Sequence, residues 1–294
     1  MFQYQHKKLN DIIAAVLSTH LSRESFEWLS GVIKAGTSVS QFATAFATMP
    51  RKTGRAIIDI DENTEAAIYD ARIGLHVSGW SVHRLARMWI LLNLDPTDQT
   101  TYFITIDRLF PASEVNELVA LYSSLPVLAF PEMWRSRCAE GIRSNIGDVL
   151  TAIMCKNPYP AENLDEAAWN QLVLKAIFTE KPIEQIIGID LRTNRKLAYT
   201  LSDFAHERWA AGRTVNPQLW RCVAPFIDEQ LLPDIQKIAS STNPLENEAA
   251  ALAAFWSNNA DAKRLIPNHQ LEAIEKGQST WETLAQKINT YVLQ

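Results

Sequence analysis

The sequence predicts an all-α protein of stacked antiparallel helices, either an α/α superhelix of HEAT or solenoid type or an irregular helical bundle. Three observations predict it. Apolar residues recur at helical spacing over almost the whole chain. The breaks between these stretches are short and carry helix stop-and-start chemistry. Asn216-Pro217 and Asn243-Pro244 each put a capping side chain before a proline suited to the first helical position. Only one β-like run occurs, Arg55 to Asp61 (RAIIDID), and it is short and has no partner run. Short connections make consecutive helices antiparallel neighbours. No repeat of fixed period is present, so a regular repeat family is not expected.

The periodicity places helices at 6–20, 23–34, 38–48, 62–76, 81–94, 97–109, 113–124, 131–156, 165–180, 194–212, 216–226, 228–240, 245–257, 261–276 and 280–293. Ser81 and Ser113 stand where N-caps belong, and Gly36 and Gly212 where C-cap glycines belong. Residues 1–241 read as a main helical domain. Residues 242–294, richer in Ala, Asn and Glu and poor in aromatics before Trp281, read as a C-terminal helical cap.

Composition sets the bounds. With 294 residues, 47% of them hydrophobic, the chain can bury a sizeable core. A net charge of −5 argues against a binder of nucleic-acid backbone, which needs a basic surface. Cys138, Cys155 and Cys222 are odd in number and widely spaced, as for reduced thiols rather than a disulfide framework. The N-terminus lacks the apolar region of a signal peptide, and no window of about 18 apolar residues exists. The expectation is a cytoplasmic protein not embedded in a membrane. No nucleotide-loop, metal or cofactor motif is present, so neither a metal nor a cofactor is expected.

Several residues break the helical pattern. In 194–212, Leu197, Leu201, Phe204 and Ala205 form the apolar stripe and Arg208 falls within it. An arginine there requires a carboxylate or carbonyls, because an unpaired buried charge is very costly. The structural alternative is an ion pair with Glu140, Asp148 or Asp165. Tyr199, Asp203, His206, Ala210 and Arg213 occupy the opposite stripe. Asp203 and His206 at i, i+3, with Glu207 adjacent, make an acid/base group if the protein is an enzyme. The zinc-protease pattern fails because the next ligand position is Ala210. In 131–156, Asn145 lies at the centre of the apolar stripe, and Gly141 allows a helix or ligand to approach closely. Asn157-Pro158-Tyr159-Pro160 is incompatible with helix and holds Tyr159 in a stiff turn. Helix 165–180 carries Trp169, Asn170 and Lys175, the last a candidate anion contact or a snorkelling surface lysine. Trp209, Trp220 and Arg221 add aromatic–cation pairs suited to ligand recognition, and Arg84 and Arg87 follow Trp80 in the same style.

Several of these segments resemble one family. NPYPAENLDEAAWNQLVLKAIF, the helix ending DFAHERWAAGR, NPQLWRCVAPF, ELVALYSSLPVLAFPE, AEGIRSNIGDVLTAIMCKNPYP and, more weakly, GWSVHRLAR are similar to the EboA domain family over roughly 78–228. The resemblance implies a place in a gene cluster that makes or exports a secondary metabolite, including traffic of a scytonemin precursor in cyanobacteria. It implies neighbours that include a prenyltransferase-like membrane protein. It carries over no catalytic residues, because the family defines none.

The favoured expectation is an accessory protein of that pathway that binds a small, anionic or polyhydroxylated metabolite in a polar-aromatic pocket between helices. Tyr159, Trp169 and Trp209 would supply walls. Lys175, Arg208, Arg213 and Arg221 would supply cations, with Asn145, Asn170 and Trp220 also in the ligand set. An enzyme using His206 with Asp203 or Glu207 is the first alternative. A scaffold for the other cluster proteins is the second.

Overall fold

The computed structural model describes residues 2–33 and 38–292; the expected C-cap at Gly36 lies outside them. The described chain is all-α. Its only β contact is a single antiparallel bridge between Ile57 and Ser81, so the RAIIDID run does find a partner, through Ile58 N–H to Trp80 O and Val82 N–H to Ala56 O. Two compact units divide at 168/169.

The first unit holds α1 (His6–His20), α2 (Arg23–Val32), α3 (Val39–Thr53), α4 (Glu62–Ala71), α5 (Val82–Leu92), α6 (Gln99–Asp107), α7 (Leu109–Ala112), α8 (Val115–Ser124), α9 (Arg135–Ile142), α10 (Gly147–Met154) and α11 (Tyr159–Asn163). Its centre is α5, which is buried on all sides and packs on α1, α3 and α8. A helix buried in this way sits inside a core, and its buried cation Arg87 is met there by His83, Phe46 O and Glu117. Around it, α1 buries Leu9, Ile13, Val16 and Leu17, a stripe at helical spacing.

The second unit takes most of α12 (Glu166–Phe178), then α13 (Ile189–Arg192), α14 (Arg195–Ala210), α15 (Leu219–Val223), α16 (Leu232–Ala239), α17 (Pro244–Trp256), α18 (Ala260–Arg264), α19 (Asn268–Glu275) and α20 (Trp281–Val292). Here α17 is central. Residues Ala249 to Ala254 are all buried, and the small side chains admit α15, α16, α19 and α20 closely. Asn243 caps α17 as the sequence predicts, its side chain accepting from Leu245 N–H, with Pro244 at the first position. Gly212 takes the left-handed conformation (φ 66°) just after α14.

The structure departs from the sequence reading at several boundaries. The long helix over 131–156 is broken into a 3-10 turn (Pro131–Trp134), α9 and α10. The break follows from local competition for backbone groups. Arg143 and Ser144 N–H tighten onto the carbonyls of Glu140 and Gly141, and the Ser144 hydroxyl takes Ile146 N–H. Asn145 therefore leaves the apolar stripe and is exposed. Tyr159 and Pro160, read as incompatible with helix, begin α11. Pro160 is accepted because the first helical turn has no internal partner for its missing N–H. The N-cap of α8 is Glu114, in a capping box with Glu117, rather than Ser113. Asn216 accepts from Gln218 N–H in a turn two residues before α15's own cap, Gln218. The stretch 261–276 is split into α18 and α19 around Pro267.

Candidate functional site

A hollow in the first unit encloses about 390 Å³, at the small end of the range of small-molecule pockets, roughly 300–1,000 Å³. Phe110 of α7, Pro111, Leu118 of α8 and Val149 of α10 line it with apolar surface. Tyr122, Arg137, Glu140, Gly141, Arg143 and Ser144 supply the polar side. Gly141 is what makes room. A Cβ there would lie 2.6 Å from Cε1 and Cζ of Tyr122 and would also meet Ile153 Cδ1, so only glycine lets that ring lie against α9. Phe110 meets the same ring edge-on at 5.2 Å.

The polar groups fall into two sets. Arg137 is fixed. Its Nε donates to Asp107 Oδ1 (2.6 Å), its Nη1 to Glu140 Oε2 (2.8 Å), and its guanidinium lies 5.1 Å from the Phe110 ring centre. The Asp107 hydrogen bond, above all, holds Arg137 firmly protonated. The other set has no partner among the described residues: the Tyr122 hydroxyl, Arg137 Nη2 and the exposed Arg143 guanidinium. Burial, with Glu140 nearby, pushes the Tyr122 phenol up to about 12, so it keeps its proton and can donate.

Another hollow of the first unit encloses about 160 Å³ and contains one predicted ligand residue, Tyr159. Its tyrosine hydroxyls and its arginine are already used. The Tyr159 hydroxyl donates to Pro131 O (2.5 Å), Tyr4 to Val127 O (2.7 Å), and Arg72 grips Glu162 through both terminal nitrogens while its Nε reaches Pro126 O. Asn145 lines neither hollow.

The other predicted residues belong to the second unit, where some meet and others do not. His206 Nε2 bonds Asp234 Oδ1 (2.6 Å), and Ser202 Oγ donates to Asp234 Oδ2 (2.6 Å). The His206 ring lies 5.7 Å from Trp209, which stacks on buried Trp220 at 5.7 Å, with Lys237 Nζ 4.3 Å over Trp209. Asp203 and Glu207 are exposed and bond no side chain of the cluster; the carboxylate on His206 comes from α16. Arg208 donates through Nε to Thr214 O (3.0 Å), so a carbonyl rather than an acid meets it. Arg213 is exposed. Asn170 exchanges amide hydrogen bonds with Asn194, the N-cap of α14. Trp169 is buried beneath the Arg192 guanidinium (4.8 Å), and Lys175 is half-buried on α12. Arg221 pairs with Asp190 through Nε and Nη2 (both 2.6 Å) and with Glu282 (2.9 Å), which ties α15 to α13 and α20.

Sequence reasoning missed Asp234, Ser202, Phe110, Tyr122, Arg137 and Arg143. Asp234 carried a readable signal, an acid one residue after Pro233 on a helix whose Ile235 and Ile238 face inward. Tyr122 carried none, since a tyrosine in VALYSSL fits an ordinary apolar stripe. Among the described residues, no group of three or more His, Cys, Asp or Glu is placed to hold a metal ion. No described helix is long and apolar enough to cross a membrane.

Fold and hollow together define a class: all-helical proteins with an apolar pocket rimmed by a few polar donors. A family model described as "Metabolite traffic protein EboA" matches residues 9–224, and the chain belongs to the EboA family. The match begins well before the motif-bearing segments, so α1 to α4 are part of the family's fold as well. No curated protein and no solved structure matches the chain.

Proposed function

We propose that this chain acts in metabolite traffic by binding a small molecule in the hollow lined by Phe110, Leu118, Tyr122, Gly141, Arg143 and Val149. One observation carries the reading. The hydroxyl of Tyr122, whose ring is buried, and the exposed Arg143, both without partners among the described residues, line the same hollow as the apolar side chains of Phe110, Pro111, Leu118 and Val149. Donors left open beside an apolar wall are the usual makings of a small-molecule site, which combines apolar lining with a few polar anchors. The family's description as a traffic protein supports a binding role over turnover.

The test is equilibrium dialysis of the full chain against a metabolite extract of its host, followed by mass spectrometry. Wild type should retain one or a few compounds that Ser144→Trp, which adds bulk to the lining of the hollow and is checked for an unchanged thermal melt, does not. Retention by both proteins, or by neither, overturns the reading.

One observation favours a second reading, an acid/base site in the second unit. Buried Asp234 bonds Nε2 of the His206 imidazole, whose side chain is 55% exposed against 5% for Asp234, with Trp209 beside the ring. In that reading Arg213 and Lys175 supply the anion contacts that the sequence suggests. Conversion of an extract component by wild type but not by His206→Ala would support it; identical extracts after incubation with either protein would remove it.

A further inference from the structure

We infer that the Tyr122–Arg143 hollow selects ring-bearing monoanions: compact apolar ring systems that carry one carboxylate or similar acidic group. The inference rests on the reading that this hollow is the ligand site, and it names the class of ligand.

The pairing of the charged groups carries the argument. The hollow is lined by two cations and one anion, Arg137, Arg143 and Glu140. Arg137 is consumed by Asp107 and Glu140 together, at 2.6 and 2.8 Å. Glu140 is thereby answered as well. Arg143 remains, with no carboxylate within ion-pair distance among the described residues. Counted with Asp107 the four charges sum to zero, but Arg143 is the one charged group lining the hollow that lacks an ion-pair partner among the described residues, and an acid group on a ligand can pair with it. A cationic ligand would find only Glu140, which Arg137 already holds.

The unpartnered groups agree in sign with this. Tyr122 Oη–H and Arg137 Nη2 are donors, and an acid group offers lone pairs to both. The rest of the wall, Phe110, Pro111, Leu118 and Val149, has no side-chain polar atom, so the body of the ligand has to be apolar. Phe110 and the Tyr122 ring stand at 69° to each other, which offers one face and one edge to a flat ring.

The experiment is isothermal titration of the full chain with two probes of the same shape, 2-naphthoate and its neutral analogue 2-naphthamide. Proteins compared are wild type, Arg143→Gln, Arg143→Lys and Ser144→Trp, each checked for an unchanged thermal melt. Wild type should bind the acid about tenfold more tightly than the amide, the scale of one charge-assisted contact. Arg143→Gln should erase that preference and Arg143→Lys should keep part of it. Ser144→Trp should weaken both probes. Equal affinity for acid and amide in wild type, or a preference that survives Arg143→Gln, overturns the choice of monoanions while leaving the hollow as a binding site. Failure of both probes to bind wild type at about 1 mM, or binding indifferent to Ser144→Trp, overturns the hollow reading and this inference with it.

Discussion

The ring of Tyr122 occupies the space that a Cβ on residue 141 would need, with two of its ring carbons 2.6 Å from where that atom would stand. The close approach sets α8 against α9 in the lining of the hollow. Gly141→Ala should destabilise the protein by about 1–3 kcal/mol, the cost of overpacking a filled core. Urea unfolding measures it. Replacing Tyr122 by Leu in the same chain should recover part of the loss, so the double variant should be less destabilised than the sum of the singles. Strict additivity would mean that the two residues do not share the space.

A pH dependence follows from His83 and Arg87. Arg87 Nη1 donates to His83 Nδ1 at 3.1 Å, and an arginine has no lone pair to offer in return. His83 is thus held neutral. Its burial first, then the charges of Arg87, Arg55 and Arg84, lower it from 6.5 to about 4. Glu117, which reaches Arg87 at 3.4 Å, is the acid that faces this pair, with Glu114 near Arg87. Between pH 6.5 and 4 the unfolded chain takes up a proton that the folded chain refuses, so this group's contribution makes stability fall as pH falls through that window. Melting curves should show the decline in wild type and a shallower one in His83→Asn. Equal slopes would contradict the assignment.

In the second unit the buried acid carries more weight than its exposed partner. Asp234→Ala should cost about 1–3 kcal/mol, because the Ser202 hydroxyl is left buried without its acceptor. His206→Ala, at a largely exposed ring, should cost under about 1 kcal/mol. Chemical denaturation of the two variants decides it, and a larger loss at His206 would reverse the ranking.

The thiols of Cys138 and Cys222 are buried, and burial pushes each up to about 12. The thiolate is the reactive form. Neither should be alkylated by iodoacetamide in the native protein near neutral pH, and both should be after unfolding. Peptide mapping reads the modification; native labelling at either position would contradict their placement.

The helices were legible from the sequence where a stripe at helical spacing ran between clear caps, as in α1 with Leu9, Ile13 and Val16 or α17 behind Asn243-Pro244. Legibility failed where local hydrogen bonds outweighed periodicity. The apolar stripe running from Cys138 to Ile153 gave no warning that Ser144 would capture a backbone N–H and divide the helix. The site was harder still. Trp209, Trp220 and His206 do assemble, because two share one helix and α15 packs on it. The carboxylate that His206 meets is 28 residues away on α16, and spacing along one helix cannot find such a partner. Tyr122 and Arg143 were invisible for a related reason: what marks them is a missing hydrogen bond and a missing counter-charge, and both are properties of the folded surroundings.

The most direct measurement is chemical-shift mapping of isotope-labelled protein with a metabolite retained in dialysis, or with 2-naphthoate. The account predicts perturbed amides clustered from Asp107 to Val149, centred on Phe110, Tyr122 and Gly141, with the signals of His206, Trp209 and Arg213 unmoved. Perturbations centred on His206 and Trp209, with Tyr122 and Gly141 unchanged, would contradict it.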